Sequence, residues 1–323
     1  MQKFKNIIIT IIICIGLFLA FDFIQYKIYA NDFKNEHKHI KTYIPSYLDY
    51  ITKPNLFNQS ITSYEKYYEF LSSKFRKNLV NEKNTKSPIL IFGGSYAYGT
   101  QLKENENFGY KLFKLTKRDV YNKGIEVCGI QHMYYLIDNP KFYRTIQKTP
   151  EYAIFVFIPS HLQRLHNYIF PSPLQTNGAY LHYDLQENKI KLRKDFPLLY
   201  KSFLIKKLLA KIDEKNPSIT QKNKIKNANL AVKLFIESQK KLKEKYPNIK
   251  FVVLRFYQDF DFRETHETPS MWEELEKNGV IVLNSHDLIG RYFTKEETTE
   301  DKLHPNTQAW DELIPPLIKK LNL

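Results

Sequence analysis

The amino-acid sequence predicts an α/β fold built on a three-layer, doubly wound, flavodoxin-like parallel sheet of about five strands. Short, continuous apolar runs are typical of strands covered on both faces, and such runs occupy residues 89–92, 120–122, 151–158, 249–256 and 280–283. Apolar residues at helical spacing mark further stretches, at residues 108–115, 131–137, 225–246 and 308–321. Because strands that alternate with helices pair in parallel, the order of these elements predicts the doubly wound sheet.

The first predicted strand ends in a turn that carries a serine. Ile89 to Phe92 are followed by Gly93 and Gly94, which let the backbone turn sharply, and then by Ser95. Reactive groups in open α/β sheets collect at the carboxyl ends of the strands. A serine hydroxyl is a weak nucleophile until a base accepts its proton, so a nucleophilic Ser95 requires an oriented histidine elsewhere in the chain.

A histidine with a nearby carboxylate stands near the other end of the chain. Asp301 precedes His304 by three residues, just ahead of the amphipathic stretch 308–321. This spacing lets one short segment deliver both a general base and the carboxylate that orients it. Gly-x-Ser and Asp-x-x-His each occur often by chance, so neither motif alone indicates a catalytic site. Only their occurrence together does so.

In this order, on this α/β pattern, the two motifs resemble the SGNH (GDSL-like) hydrolase family, and the chain looks like its membrane-anchored bacterial members. Stretches at residues 105–112, 120–124 and 129–136 also fit. The resemblance implies a serine esterase or O-acyl transferase with Ser95 as nucleophile, His304 as base and Asp301 as orienting acid. It implies O-acetyl or other small acyl esters on a cell-envelope glycan as substrates.

The tetrahedral intermediate of acyl transfer requires donors for its oxyanion. The backbone amide of Ser95 is one expected donor. The family's second block supplies a glycine amide, for which Gly124 and Gly129 are candidates, and we expect Gly129 because it directly precedes the helical stretch 131–137.

The family's third block usually supplies an asparagine, and this sequence lacks it after the strand at residues 151–158. Ser160 or His161 takes its place in the predicted oxyanion hole. Gln131 and His132 follow Gly129 closely and are candidates for the pocket lining. Arg164 is a candidate partner for an anionic group on the substrate.

The N-terminal 30 residues read as an uncleaved signal anchor, with an apolar membrane segment at residues 7–24. This predicts a single-pass protein of the inner (cytoplasmic) membrane with a periplasmic catalytic domain. Residues 31–86 form a predicted stalk or N-terminal cap with a helix at residues 63–79. The SGNH-like domain is predicted at residues 87–323.

An insertion at residues 166–222 interrupts the alternation of strands and helices. Two alternating stretches, at residues 180–185 and 189–193, flank a short polar segment and predict a hairpin. A lysine-rich stretch follows at residues 201–222. We expect part of the insertion to form a substrate-side wall or a docking surface for a membrane or partner protein.

Composition excludes several other classes. The formal net charge is +15, but its lysines are scattered and no nucleic-acid motif is visible, so we expect anionic membrane surfaces or acidic glycans as neighbours rather than nucleic acid. Cys14 and Cys128 are the two cysteines, and neither has metal-ligand spacing. We expect no metal, no cofactor and no disulfide, and we expect Cys128 to be a buried apolar side chain.

Two alternatives stay open at the level of the sequence. A non-catalytic binding or assembly module of the envelope, with partner proteins, is favoured by the missing asparagine. A lipase or thioesterase would need a long apolar groove beside Ser95, for which Tyr168, Phe170 and Tyr180 are candidate residues, although aromatic residues at such spacing are more often core.

Overall fold

The computed structural model describes residues 10, 13–25, 27–28, 68–69, 71–126, 128–165, 180–184, 189–193, 217–259 and 267–323. The chain divides into two compact units. One comprises Met1–Ile61, Tyr168–Tyr180 and Arg193–Pro217, and the other comprises Thr62–Asn167, Leu181–Leu192 and Ser218–Leu323. The second unit contains every residue predicted to act in catalysis.

In the first unit, residues 13–25 are helical. Over the described part of the chain, we find no helix with both the length and the apolar character needed to cross a bilayer. Residues 7–9, 11 and 12 of the predicted anchor lie outside the described residues, so the anchor stays a prediction. Most of the predicted insertion, including Tyr168 and Phe170, also lies outside them.

The described strands confirm the predicted α/β class. They are β1 (Ile89–Gly93), β2 (Val120–Asn122), β3 (Tyr152–Phe157), β4 (Tyr180–Asp184), β5 (Lys189–Arg193), β6 (Lys250–Arg255) and β7 (Ile281–Asn284). The five-stranded sheet has the order β2-β1-β3-β6-β7, and every neighbouring pair is parallel. As predicted, β4 and β5 pair with each other, in a separate two-stranded sheet.

Helices connect these strands. They are α1 (Ser95–Tyr98), α2 (Phe108–Thr116), α3 (Ile130–Asp138), α4 (Pro140–Tyr143), α5 (Ser160–Arg164), α6 (Pro217–Lys245), α7 (Pro269–Lys277), α8 (Ser285–Ile289) and α9 (Thr307–Leu321). The last six residues of the predicted insertion, 217–222, are therefore the first turns of α6. Asn306 caps α9 by accepting the Ala309 N–H at 3.1 Å.

The two faces of the sheet pack against different helices, which makes three layers. On one face Phe155 of β3 packs edge-on against Phe235 of α6, with ring centroids 5.1 Å apart. On the other face Trp310 of α9 is fully buried against Phe108 of α2, at 4.9 Å between centroids. Alternate residues of each strand serve the two faces, which is why the strand sequences are continuously apolar.

The segment 68–86, expected to be a stalk or cap, packs on the α/β domain. Its described helical part ends at Ser72, so the helix predicted at residues 63–79 is wrong for its last turns. Leu79 instead forms an antiparallel bridge with Val120 at the edge of the sheet, with N···O distances of 3.0 and 2.9 Å. Backbone pairing with β2 thus outweighs the local helical pattern, because it satisfies the edge strand's free groups.

Candidate active site

The turn after β1 places Ser95 at the carboxyl edge of the sheet. Gly93 has a φ of +141°, and a Cβ there would lie 2.8 Å from the Val156 carbonyl oxygen, so both its conformation and its neighbour require glycine. Ser95 begins α1 and is 9% exposed. The sequence therefore folds as expected around the candidate nucleophile.

Asp301 and His304 form a close pair. The His304 Nδ1 lies 2.5 Å from the Asp301 Oδ2. The other carboxylate oxygen, Oδ1, accepts the N–H groups of His304 at 3.0 Å and Leu303 at 2.9 Å, and the Thr299 hydroxyl at 2.8 Å. Both carboxylate oxygens of Asp301 are therefore held by donors from the same loop.

These contacts fix the ionisation of Asp301. Burial alone would raise the pKa of Asp301, but the hydrogen bond and charge of His304, with the backbone donors, hold that pKa below its ordinary value. An ionised carboxylate can only accept at Nδ1, so the Nδ1 of a neutral His304 carries the proton. Its Nε2 then presents a lone pair, which is the form that a general base requires.

Tyr96, the residue after Ser95, joins the two motifs. Its hydroxyl lies 2.5 Å from the carbonyl oxygen of Leu303 and 2.7 Å from Oε1 of Gln258. Its ring also packs against the His304 imidazole, with centroids 5.5 Å apart and an interplanar angle of 61°. Tyr96, which follows Ser95, therefore contacts Leu303, which precedes His304, although Tyr96 and Leu303 are 207 positions apart in the chain.

We expect the Tyr96→Phe variant to lower kcat by about 3- to 10-fold with little change in KM. The loss of one hydrogen bond of about 0.5–1.5 kcal/mol releases the Leu303 carbonyl but leaves the ring against His304, and no substrate contact is removed. Ester hydrolysis kinetics measure both constants. Tyr110→Phe, at a half-buried position of α2, is the control. An unchanged kcat in Tyr96→Phe would contradict the positioning role.

His161 lies where the family's asparagine is missing. It is 0% exposed, and its Nδ1 accepts the N–H of Ile158 at 3.2 Å. Burial, with the charge of Arg164 and the neighbouring His132, keeps the pKa of His161 well below its ordinary value. The ring is therefore neutral with its proton on Nε2, and no residue that the structure describes accepts a hydrogen bond from this buried N–H.

The unpartnered Nε2 of His161 faces the nucleophile turn. A Cβ built on Gly94 would lie 2.9 Å from it. Because Gly94 precedes Ser95 directly, the free N–H is next to the peptide that carries the Ser95 amide. The geometry favours His161 over Ser160, whose Oγ instead accepts a hydrogen bond from Nη2 of Arg164 at 3.1 Å.

The predicted glycine donors are already engaged. The Gly129 N–H donates to Nδ1 of His132 at 3.1 Å, and the Gly124 N–H donates to Oδ1 of Asn122 at 2.9 Å. The expectation of a free Gly129 amide therefore does not hold in this structure. His132 acts as the cap of α3, and burial, with the nearby Arg164 charge, lowers the pKa of His132 to about 3, which keeps it a neutral acceptor.

Arg164 and Gln131 fasten the loop after β2 to α5. Arg164 donates from Nη1 to the Cys128 carbonyl at 2.9 Å, and Gln131 donates from Nε2 to the Arg164 carbonyl at 3.0 Å. Cys128 itself is buried, as expected, and burial raises the pKa of its thiol to about 12. A protonated, enclosed thiol is a poor nucleophile, which leaves Ser95 as the candidate.

Cofactor and metal ligands can be judged only for the part of the chain that the structure describes. There, no group of three or more His, Cys, Asp or Glu side chains is arranged to hold a metal ion, and the two cysteines are free thiols.

Sequence reasoning missed Tyr96 and its contact with Leu303. The adjacency of Tyr96 to Ser95 was visible, but its partner could be identified only once the two ends of the chain were brought together. The capping role of His132 had a local signal, because a histidine stands three residues after the N-terminal glycine of the predicted helix.

The sheet order, Ser95 after β1 and Asp301–His304 before α9 define an SGNH hydrolase-like fold. No protein-family model matches the chain, and no curated protein matches it. Solved structures that are similar include a protein described as lipolytic and of the G-D-S-L family from Desulfitobacterium hafniense. It has 11% identity and a TM-score of 0.40, over 72% of this chain and 99% of its own.

Two others are esterases. The acetyl xylan esterase from Butyrivibrio proteoclasticus aligns over 75% of this chain and 65% of its own, with 10% identity and a TM-score of 0.42. The psychrotrophic esterase from a Pseudoalteromonas species aligns over 74% of this chain and 100% of its own, with 15% identity and a TM-score of 0.39. Likeness this distant says nothing about activity, so we base the function on the residues of the site.

Proposed function

We propose that this protein is a serine ester hydrolase that forms an acyl-enzyme on Ser95. The observation that carries the proposal is the placement of an ionised Asp301 and its bound His304 against Tyr96, the neighbour of the candidate nucleophile. The pKa of Asp301 is held below its ordinary value, so an ionised carboxylate is in place to orient the His304 imidazole.

In the first half of the reaction, Nε2 of His304 takes the Ser95 proton while Oγ bonds to the ester carbonyl carbon. The carbonyl π electrons move onto oxygen, which becomes the oxyanion. The Ser95 amide and the Nε2–H of His161 donate to it. When the tetrahedral intermediate collapses, the bond to the alcohol breaks and His304 returns the proton to the leaving oxygen.

In the second half, His304 takes a proton from the water that attacks the acyl carbon. The bond between that carbon and Ser95 Oγ then breaks, His304 returns the proton to Oγ, and the carboxylic acid leaves. A sugar hydroxyl in place of water would give transfer instead of hydrolysis. Which acceptor reacts depends on how well the acyl-enzyme is shielded from water. The same residues serve either outcome, so the proposal covers an esterase and an O-acyl transferase.

We extend the family resemblance to a substrate and a location. The proposed substrate is an O-acetyl or other small acyl group on an envelope glycan. The proposed location is the inner (cytoplasmic) membrane, with residues 7–24 as anchor and the catalytic domain in the periplasm. The net charge of +15 supports association with anionic envelope surfaces through general electrostatic attraction.

A pair of chromogenic esters tests this function. The full-length protein in detergent is expected to hydrolyse 4-nitrophenyl acetate at least about tenfold more efficiently, by kcat/KM, than 4-nitrophenyl decanoate. The Ser95→Ala protein measures the background. A preference for decanoate would favour the lipase or thioesterase reading, and no turnover of either ester by the folded protein would favour the binding module.

A further inference from the structure

In the described part of the chain, the side chain of Arg164 contacts only neutral groups. Its guanidinium donates from Nη1 to the Cys128 carbonyl and from Nη2 to the Ser160 hydroxyl, which are both neutral acceptors. Its buried Nε has no hydrogen-bond partner within the described ranges of the chain. Among the residues that the structure describes, no carboxylate lies within ion-pair distance of this side chain.

Holding the Arg164 guanidinium in this position has a desolvation cost in the protein without substrate. A half-buried cation without a counter-charge loses part of the solvation that water would give it. Burial lowers the pKa of Arg164 to about 10, so the side chain nevertheless remains charged at neutral pH. Negative charge that arrives beside the guanidinium offsets this desolvation cost.

The guanidinium stands at the nucleophile turn. A Cβ built on Gly94 would lie 3.0 Å from Nη1 of Arg164 and 2.9 Å from Nε2 of His161. Two donors from α5 therefore converge on the residue that precedes Ser95. Among the described residues, the fully buried N–H of His161 has no hydrogen-bond partner and the Arg164 guanidinium has no counter-charge.

The predicted third donor is occupied at the same time. The Gly129 amide is held by His132. An oxyanion formed at Ser95 would then have fewer backbone donors than the sequence led us to expect. Nη1 of Arg164 has two N–H groups, and the Cys128 carbonyl uses one of them, so a second remains to donate.

We propose that Arg164 is a charged donor of the oxyanion site. This inference rests on the proposed function. As Ser95 Oγ bonds to the carbonyl carbon and His304 takes the serine proton, the negative charge that develops on the carbonyl oxygen is stabilised by the Nη1–H of Arg164 beside the Nε2–H of His161. No proton is transferred from Arg164, and when the carbonyl re-forms the charge disappears.

The main rival is a guanidinium that binds a carboxylate on the substrate. We favour the oxyanion because a neutral donor, His161, faces the same place, and because both donors adjoin the backbone of the nucleophile rather than a separate recess. The two roles differ in which substrates they affect: an oxyanion donor accelerates every ester, whereas a carboxylate receptor accelerates only anionic ones.

The test compares Arg164→Gln and Arg164→Lys in the full-length protein, with 4-nitrophenyl acetate as the neutral ester and 4-nitrophenyl hydrogen succinate as the anionic one. We expect Arg164→Gln to lower kcat by about 10²- to 10³-fold on both esters with KM nearly unchanged. Arg164→Lys keeps the positive charge but lacks the planar guanidinium donors. Its kcat should be at least about tenfold higher than that of Arg164→Gln.

Two further measurements separate catalysis from structure. Arg118→Gln is the control, because Arg118 is an arginine of the same domain, buried and bonded to Glu151 and the Ser87 carbonyl near the amino-terminal ends of the strands, and its loss should affect unfolding but not kcat. The ³¹P resonance of a phosphonyl group on Ser95 should also shift in Arg164→Gln, because the phosphoryl oxygen occupies the oxyanion position.

If folded Arg164→Gln has wild-type kcat on the acetate ester, or loses kcat only on the succinate ester, the oxyanion role of Arg164 is overturned. The proposed esterase function would still stand. A folded wild type that neither hydrolyses the esters nor reacts with the phosphonylating reagent would overturn the proposed function, and this role with it. The two failures are therefore distinguishable.

Discussion

His304→Ala is expected to lower kcat for 4-nitrophenyl acetate by about 10⁴-fold or more. Without the imidazole, no group in this arrangement accepts the Ser95 proton, and the hydroxyl returns to its ordinary weak nucleophilicity. Binding and the oxyanion donors are untouched, so KM should change little. Steady-state kinetics of the purified variant, with its unfolding temperature as a check on folding, measure the effect.

The chain offers a matched control for that variant. His286 follows β7 at the same edge of the sheet, and its Nδ1 lies 2.6 Å from a carboxylate oxygen of the adjacent Asp287. It is thus a second histidine–aspartate pair without a role in the mechanism. His286→Ala should retain wild-type kcat, and an equal loss in His286→Ala and His304→Ala would contradict the assignment of the base.

Asp301→Asn is expected to lower kcat by about 10³- to 10⁴-fold while leaving the fold intact. An amide can donate to Nδ1 of His304, which places the imidazole proton on Nε2 and removes the lone pair that attacks the serine proton. Asp287→Asn, in the other histidine–aspartate pair, is the control. Near-wild-type turnover in Asp301→Asn would show that the carboxylate does not orient the base.

The same substitution should have a pH-dependent effect on stability. The native pKa of Asp301 is held below the ordinary value of about 3.9, so the native state binds fewer protons than the unfolded state near that pH. The stabilisation is then fully present above about pH 4 and is lost as the pH falls through the lowered native pKa. The free energy of unfolding of Asp301→Asn should be about 1–3 kcal/mol below wild type at pH 7, and denaturant unfolding should show this gap closing in strong acid.

The strands were predictable because their sequences are continuously apolar, a pattern typical of a sheet covered on both faces. The predicted strand at residues 89–92 lies within β1, and the one predicted at residues 151–158 extends one residue beyond β3 at each end. The turn at Ser95 was predictable because Gly93 and Gly94 are consecutive. The pairing of Leu79 with Val120 was not, since an edge contact between distant residues leaves no local period in either sequence.

The candidate site divides in the same way. Local spacing predicted that Asp301 would reach His304, and the structure brings them together. Local spacing also suggested a free Gly129 amide, but a side chain three residues on, His132, takes it. The proton position on His161 depends on the Ile158 N–H, a contact that only the turn after β3 creates.

Covalent labelling of the full-length protein with a fluorophosphonate probe, read by intact mass and peptide mapping, tests whether Ser95 is an activated nucleophile. We expect a single adduct on Ser95, absent from Ser95→Ala and retained in Ser285→Ala, which alters another buried serine at the same edge of the sheet. A folded wild type that remains unlabelled, or an adduct that persists in Ser95→Ala, would contradict the assignment of Ser95 as an activated nucleophile.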